Sequence, residues 1–278
     1  MYEHDSAYHR LKVIDHNGVR SLKFERNHQS SMSLADPFET DIEYVGYLHL
    51  TLAVKHDAER TLVIGLGGGS VVKRMWRDYP AMRIDAVELD PDVIDVAHEL
   101  FALPEDARIT VFLGDGRDFI ESCADTYDIV IVDAFDDDHV PRQLLTEEFM
   151  REVRDHLSAD GVVAYNFIGS LHDGQSRAFR SLYRTASNVW RQIWVFAVGH
   201  DGNAIDATDN IVMLATDRRE PAEALLERIA CRVGGLVSVP GFERLGEDLY
   251  RGTVRGGDVP LLVDEPPARQ GHQRRHRR

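Results

Sequence analysis

From Arg60 onward, apolar positions fall into short continuous runs separated by stretches in which they recur every three or four residues. Runs of that length, rich in Val, Ile and Leu, predict strands at Thr61 to Ile64, Arg83 to Leu89, Arg108 to Leu113 and Tyr127 to Val132, the last of them buried. Three more follow at Val162 to Phe167, Ile193 to Val198 and Ile211 to Thr216. The helical spacing between them predicts helices at Val71 to Tyr79, Asp92 to Phe101, Arg117 to Cys123, Thr146 to Leu157, Gln175 to Trp190 and Pro221 to Val233. Pro80 stops the first of these, and Pro91 opens the second from a first helical position. Strands that alternate with helices predict an α/β fold with a doubly wound, mainly parallel sheet.

The pattern before Arg60 is different. AYHRLKVID and VRSLKFER alternate, and Asn17-Gly18 between them is the signal of a two-residue hairpin turn. A lone hairpin is not stable in water, so this unit must pack on the main domain or on a partner chain. Residues 27–40 read as loop with a turn at Asp36-Pro37, and Glu43 to Val54 reads as one helix. The predicted organisation is a β-hairpin region with its connecting helix over 1–56, the α/β domain over 57–265, and a basic tail over 266–278.

The strand Tyr127 to Val132 ends in Asp133, with Asp136, Asp137 and Asp138 close behind. Carboxylates gathered at the carboxyl end of a buried strand raise one another's pKa, and strand ends of open α/β sheets are where ligands bind. Overall charge agrees with a cationic ligand. The 278 residues carry a formal charge of −15, and the tail holds five Arg and no acid, so the rest carries 47 acids against 27 bases. Such a body repels nucleic acid and attracts small cations; the tail itself reads as a solubilising end. No run of about 18 apolar residues or secretory core is present, which predicts a soluble, cytoplasmic protein without membrane contact. Cys123 and Cys231 lie far apart in helical patterns and read as buried free thiols. No metal is expected.

After the first strand of the α/β domain, Gly65-Leu66-Gly67-Gly68-Gly69-Ser70 forms a glycine turn that lets backbone approach a ligand ahead of a helix. Glu88 lies 23 residues after Gly65, at the end of the next strand. There a nucleoside binder places the carboxylate that accepts both ribose hydroxyls. Asp115-Gly116, at the end of the third strand, offers an acceptor for an exocyclic amine, a helix N-cap, or both. The turn has no Lys or Arg for a pyrophosphate, so an adenosyl sulfonium fits the acidic surroundings better.

LVIGLGGGSVVKRMW, VELDPDVIDVA, GDGRDFI and YDIVIVDAFDDDHVPRQLLTEEF, in that order, resemble the motifs of the spermidine synthases, the polyamine aminopropyltransferases. The resemblance runs from about Ser6 to Pro267. It implies a Rossmann-like class I methyltransferase fold, an N-terminal β region that helps form a homodimer, and transfer of an aminopropyl group from decarboxylated S-adenosylmethionine to an amine such as putrescine. By position, Asp133 matches the general base and Asp136 the second, substrate-side acid of the D-x-x-D motif. Glu88 matches the ribose ligand, Asp115 and Gly116 the adenine contact, and Gly65 and Gly67 the cofactor-side turn. Gln29, in FERNHQ, matches a glutamine that touches the nucleoside, and His49 a substrate-side histidine.

Some positions depart from that pattern. Gly68 stands where the family has an Asp for the aminopropyl amine, Asp137 replaces a proline, and Tyr165 stands at a later glutamine. The alternatives are an S-adenosylmethionine-dependent methyltransferase on the same fold and a catalytically silent nucleoside-binding or dimerisation module.

Overall fold

An antiparallel sheet of four strands opens the chain: β1 (Tyr2–Asp5), β2 (Arg10–His16), β3 (Val19–Phe24) and β4 (Asn27–Ser33), paired in that order. It is seen in a computed structural model that describes residues 2–25, 27–136, 139–172, 176–200 and 208–265. The hairpin of β2 and β3 is where the alternation predicts it, with Asn17 and Gly18 both at positive φ (51° and 79°) in the turn. Residues 27–33 are not loop. β4 lacks an apolar alternation because the residues it buries include Ser30 and Ser31, and Ser31 bonds to Thr40.

The inner face of this sheet (Leu11, Val13, Leu22, Phe24, Met32) packs on Val93, Val96 and Phe101. Val93 and Val96 belong to α4 (Pro91–Leu100), so the cover for the hairpin comes from within the chain. The expected single helix over Glu43 to Val54 is two short ones, α1 (Tyr44–Leu48) and α2 (Thr51–Val54). The break has a local cause. His49 uses Nδ1 to bond the Val45 carbonyl at 2.8 Å, and Thr51 donates its hydroxyl to the Leu48 carbonyl at 2.8 Å. Side-chain bonds of this kind compete with the helical ladder.

The large sheet has seven strands. These are β5 (Arg60–Ile64), β6 (Arg83–Glu88), β7 (Ile109–Leu113), β8 (Tyr127–Val132), β9 (Leu157–Gly169), β10 (Gln192–Ala197) and β11 (Asp209–Thr216), in the order β10-β11-β9-β8-β5-β6-β7. The five from β7 to β9 are parallel, while β11 runs antiparallel to both its neighbours. Successive residues of a strand go to opposite faces, each with its own core. Val63, Ile84, Ile129 and Ile131 join one core with α3 (Ser70–Asp78) and α8 (Ala222–Ala230). Ile64, Val130, Val132 and Val163 join the other with α6 (Glu147–Asp155) and α7 (Arg177–Val189).

From β5 the chain builds outward through β6 and β7, then returns to place β8 on the other side of β5. The switch point of the sheet therefore lies at the carboxyl ends of β5 and β8, where a doubly wound fold opens a crevice. Both cysteines are free, but Cys231 is exposed and Cys123 only half-buried, so neither is a core thiol. Among the described residues no helix is long and apolar enough to cross a membrane, and no group of three or more His, Cys, Asp or Glu could hold a metal. Asp137, Asp138 and the basic tail lie outside the described residues.

Candidate active site

The glycine turn sits directly on the end of β8. Gly65 has φ +93°, and a Cβ there would lie 2.3 Å from the carbonyl oxygen of Asp133. Only glycine permits that approach. Glu88 braces the turn from the neighbouring strand: its Oε2 accepts the Leu66 N–H at 2.9 Å and its Oε1 accepts the Asp90 N–H at 3.0 Å. Burial raises its pKa and these backbone bonds oppose the rise. The side chain is only half-buried and still borders the crevice.

Asp115 does both things its position allows. It caps α5 (Gly116–Ser122), with Oδ1 accepting from the Arg117 and Asp118 N–H groups at 2.7 and 3.3 Å. Oδ2 points elsewhere, 3.5 Å from the Gln143 amide. A Cβ on Gly116 would fall 2.3 Å from Ile64 Cγ2, so glycine is needed for α5 to seat against β5.

Asp133 follows the last residue of β8, and its N–H donates to the Ile64 carbonyl at 2.8 Å. Its carboxylate Oδ1 accepts from Asn166 Nδ2 at 2.8 Å, and the Tyr44 hydroxyl also bonds it. Asn166 is fixed in turn, its Oδ1 accepting from Asn210 Nδ2 at 2.9 Å. Burial pushes the pKa of Asp133 up to about 7, against the opposing pull of Asn166 and Tyr44. Among the described residues burial is thus the cause of the rise; Asp136, one of the carboxylates whose crowding the sequence suggests, is exposed and takes no part in it. The same burial, with Asp133 beside it, holds the Tyr44 hydroxyl protonated far above its usual range.

One cavity of about 380 Å³ at the sheet's switch point brings together Gln29, Gly65, Gly67, Glu88, Asp115, Gly116, Asp133 and Asp136. Gln29 reaches it from β4, so the N-terminal sheet supplies part of the wall. His49 is not brought there. It is fully buried beyond α1, and Tyr44, at the other end of that helix, is the residue that reaches Asp133. Sequence reasoning missed Tyr44 because nothing near it in the chain marks the meeting of α1 with the end of β8. It missed Asn166 by one place on β9. Tyr165 is wholly buried in the core, and strand alternation turns the next residue, Asn166, to Asp133. Gly68 has no room for a side chain: a Cβ would lie 2.6 Å from Phe101 Cδ1 and 2.8 Å from Ser30 Oγ.

Residues 44–172 match the spermine/spermidine synthase domain. A polyamine aminopropyltransferase of Vibrio vulnificus is 32% identical over 194 residues, which are 66% of this chain and 64% of that protein. One from Neisseria meningitidis serogroup A is 31% identical over 244 residues, 86% of this chain and 87% of that protein. The fold is similar to that of a probable spermidine synthase from Corynebacterium glutamicum (TM-score 0.78, 18% identity, 97% of this chain and 98% of the other). Taken with the glycine turn, the Glu88 carboxylate that braces it and the acid-tipped strand, this likeness over most of its length places the chain in the spermine/spermidine synthase family.

Proposed function

We propose that this protein transfers an aminopropyl group from decarboxylated S-adenosylmethionine to a small primary amine such as putrescine. The observation that carries the reading is Asp133. It is a carboxyl held by Asn166 and Tyr44 at the mouth of a nucleoside-type crevice, with a pKa of about 7. A free amine titrates near 10.4, so neutralising it at pH 7 costs about 4 to 5 kcal/mol. An ordinary aspartate is a poor acceptor for that proton, and one poised near 7 is a much better match.

In this reading Glu88 accepts the ribose hydroxyls, Asp115 the adenine amine, and Gln29 closes the nucleoside from the N-terminal sheet. Glu88, already bonded through both oxygens to backbone N–H groups, is pre-oriented for that task. The amine lone pair attacks the methylene carbon beside the sulfonium, the carbon–sulfur bond breaks with its electrons passing to sulfur, and methylthioadenosine leaves. Asp133 takes the proton that the acceptor's ammonium sheds to free that lone pair, and exposed Asp136 draws the acceptor's distal charge. Alignment of amine and carbon in this crevice supplies the larger part of the rate, since positioning is worth about 7 to 11 kcal/mol.

Gly68 favours a second reading. Phe101 and Ser30 fill the place where a carboxylate for the aminopropyl amine would stand, and a site without that carboxylate no longer repels the methionine carboxylate of the full cofactor. Calorimetry separates the two. Tighter binding of decarboxylated S-adenosylmethionine, with methylthioadenosine produced on adding putrescine, is the expected result. Preference for S-adenosylmethionine would instead assign methyl transfer, and binding without turnover of any amine would leave a nucleoside-binding module.

A further inference from the structure

One wall of the crevice, residues 141–144, is a single 3-10 turn, Arg142–Leu144, that follows Pro141. A single turn is not stable by itself, so its place is set by what ties it. Leu144 and Leu145 are sunk in the core, whereas Gln143 is exposed and borders the crevice. Arg117, the second residue of α5, ties this wall from behind. Its Nη1 donates to the Gln143 carbonyl at 3.2 Å and to the Thr146 hydroxyl at 3.3 Å. Asp264 grips the same guanidinium with both oxygens, at 2.9 and 3.2 Å, and Glu152 of α6 accepts from it at 2.7 Å. The Arg117 side chain is only 12% exposed, so salt screens these bonds weakly. Asp264 is itself fixed. Its N–H donates to Glu148 at 3.0 Å, and nearby Leu262 accepts the Glu147 N–H at 2.8 Å and donates to Thr185 at 2.9 Å. Residues 262–265 thus form a strap across α6 and α7 that clamps Arg117 and, through it, the wall.

What the wall presents to the crevice is the Gln143 amide. Asp115 commits Oδ1 to the cap of α5, and its Oδ2 faces that amide 3.5 Å away. A carboxylate only accepts, so the amide nitrogen is the atom turned towards it. A well-made N–H···O bond spans about 2.7 to 3.2 Å, so the two groups are neighbours without being fully engaged. The amide nitrogen also carries a second hydrogen. One edge of the crevice therefore offers an acceptor and a donor side by side. That is the complement of a purine with an exocyclic amine next to a ring nitrogen, where the amine donates and the nitrogen accepts.

We propose that Gln143 reads the base of the nucleoside, donating an amide N–H to the ring nitrogen beside the amine that Asp115 accepts, and that Arg117, clamped by Asp264, is the positioning residue that holds Gln143 there. The inference rests on the nucleoside reading of the crevice and adds a second contact with the base. Asp115 by itself separates a 6-amino purine from a 6-oxo one, whose carbonyl oxygen it repels. With Gln143 beside it, the site also requires an acceptor at the adjoining ring position. Arg117 does not border the cavity; it acts through the backbone of Gln143. Because it lies two residues from Asp115, on the same helix, one side chain sets the spacing of both base-reading groups.

Calorimetry on the whole chain tests this with methylthioadenosine and its 7-deaza and 1-deaza analogues, each lacking one ring nitrogen beside the amine. In the parent, at least one analogue is expected to bind about three- to tenfold more weakly than methylthioadenosine, as one lost hydrogen bond requires. In Gln143→Ala the penalty for that analogue should fall by the same factor. It should also fall in Arg117→Lys, which keeps the charge but loses the fork, and in Asp264→Ala, which frees the fork from the strap. Asp264 is exposed, so its variant keeps the test open if Arg117→Lys does not fold. A purely structural role for Arg117 would lower the melting temperature of these two variants and leave the analogue ratios at their parent values, which overturns the positioning role. Ratios unchanged in Gln143→Ala overturn the base contact. A parent that binds no methylthioadenosine overturns the nucleoside reading and this inference with it, whereas binding with unchanged ratios overturns the inference alone.

Discussion

Replacing Asp133 by Asn tests stability and chemistry at one position. The Asn oxygen can still accept from Asn166 Nδ2, and its amide can donate to Tyr44, so the shape of the site is kept. Moving a carboxyl from 3.8 to about 7 means that keeping it ionised in the folded protein costs about 4 kcal/mol. That is an upper value, because the side chain is only half-buried and retains some water on its cavity side. The sign follows from linkage. Below about pH 3.8 the carboxyl is protonated folded and unfolded, and the cost is absent; it grows between 3.8 and 7 and is complete above 7. The Asn variant lacks it at every pH. Urea unfolding at pH 4, 6 and 8 should therefore show a gain for Asp133→Asn that rises with pH, to a few kcal/mol at pH 8. Turnover should fall on the order of a hundredfold or more, while methylthioadenosine binds as in the parent. Equal stabilities at pH 8 would refute the burial argument, and unchanged turnover would refute the role as base.

Tyr44→Phe removes one hydrogen bond to the Asp133 carboxylate, so the acid limb of the kcat/KM profile, expected near pH 7 in the parent, should move to higher pH. An acid limb in the same place would mean that Tyr44 does not act on Asp133. Glu88→Ala should weaken methylthioadenosine binding by about 3 kcal/mol or more in calorimetry. It should also speed amide hydrogen exchange at Leu66 and Asp90, whose N–H groups lose their acceptor. Gly116→Ala drives a methyl into Ile64, and thermal unfolding should show a loss of about 1 to 3 kcal/mol.

What the sequence made legible was whatever its signal confines to a short stretch. The seven strands of the large sheet are short apolar runs, and each forms over the expected stretch, although β9 starts five residues early at Leu157. Glu88 was legible because its spacing from the glycine turn is set by one strand–helix–strand unit. β4 was not, since its polar residues become a buried face only after Thr40 and Asp41 fold back onto Ser31. Tyr44 and Asn166 acquire their roles from a meeting of α1, β8 and β9, and nothing in their own neighbourhoods marks it. His49 was read as facing substrate; its ring bonds back to its own helix and does not border the crevice that holds Asp133. Even at Asp133 the residue was legible but the physics was not, because burial depends on elements far away in the chain.

The contact between Gly65 and the Asp133 carbonyl also has a bearing on how the protein can diverge. The Asp133 N–H is tied to Ile64, and its carbonyl rests on Gly65, so the proton acceptor and the nucleoside cradle of the proposed reaction are two points on one backbone frame. The span between them acts as a fixed ruler, insensitive to rotamer changes around it. New acceptor lengths can then be accommodated only by the detachable walls: Tyr44 on its short helix, residues 141–144, and the N-terminal sheet. Substitutions accumulating in those walls retune the choice of amine while leaving the reacting distance untouched. The expected history of such a scaffold is many substrates served by one unvarying gauge.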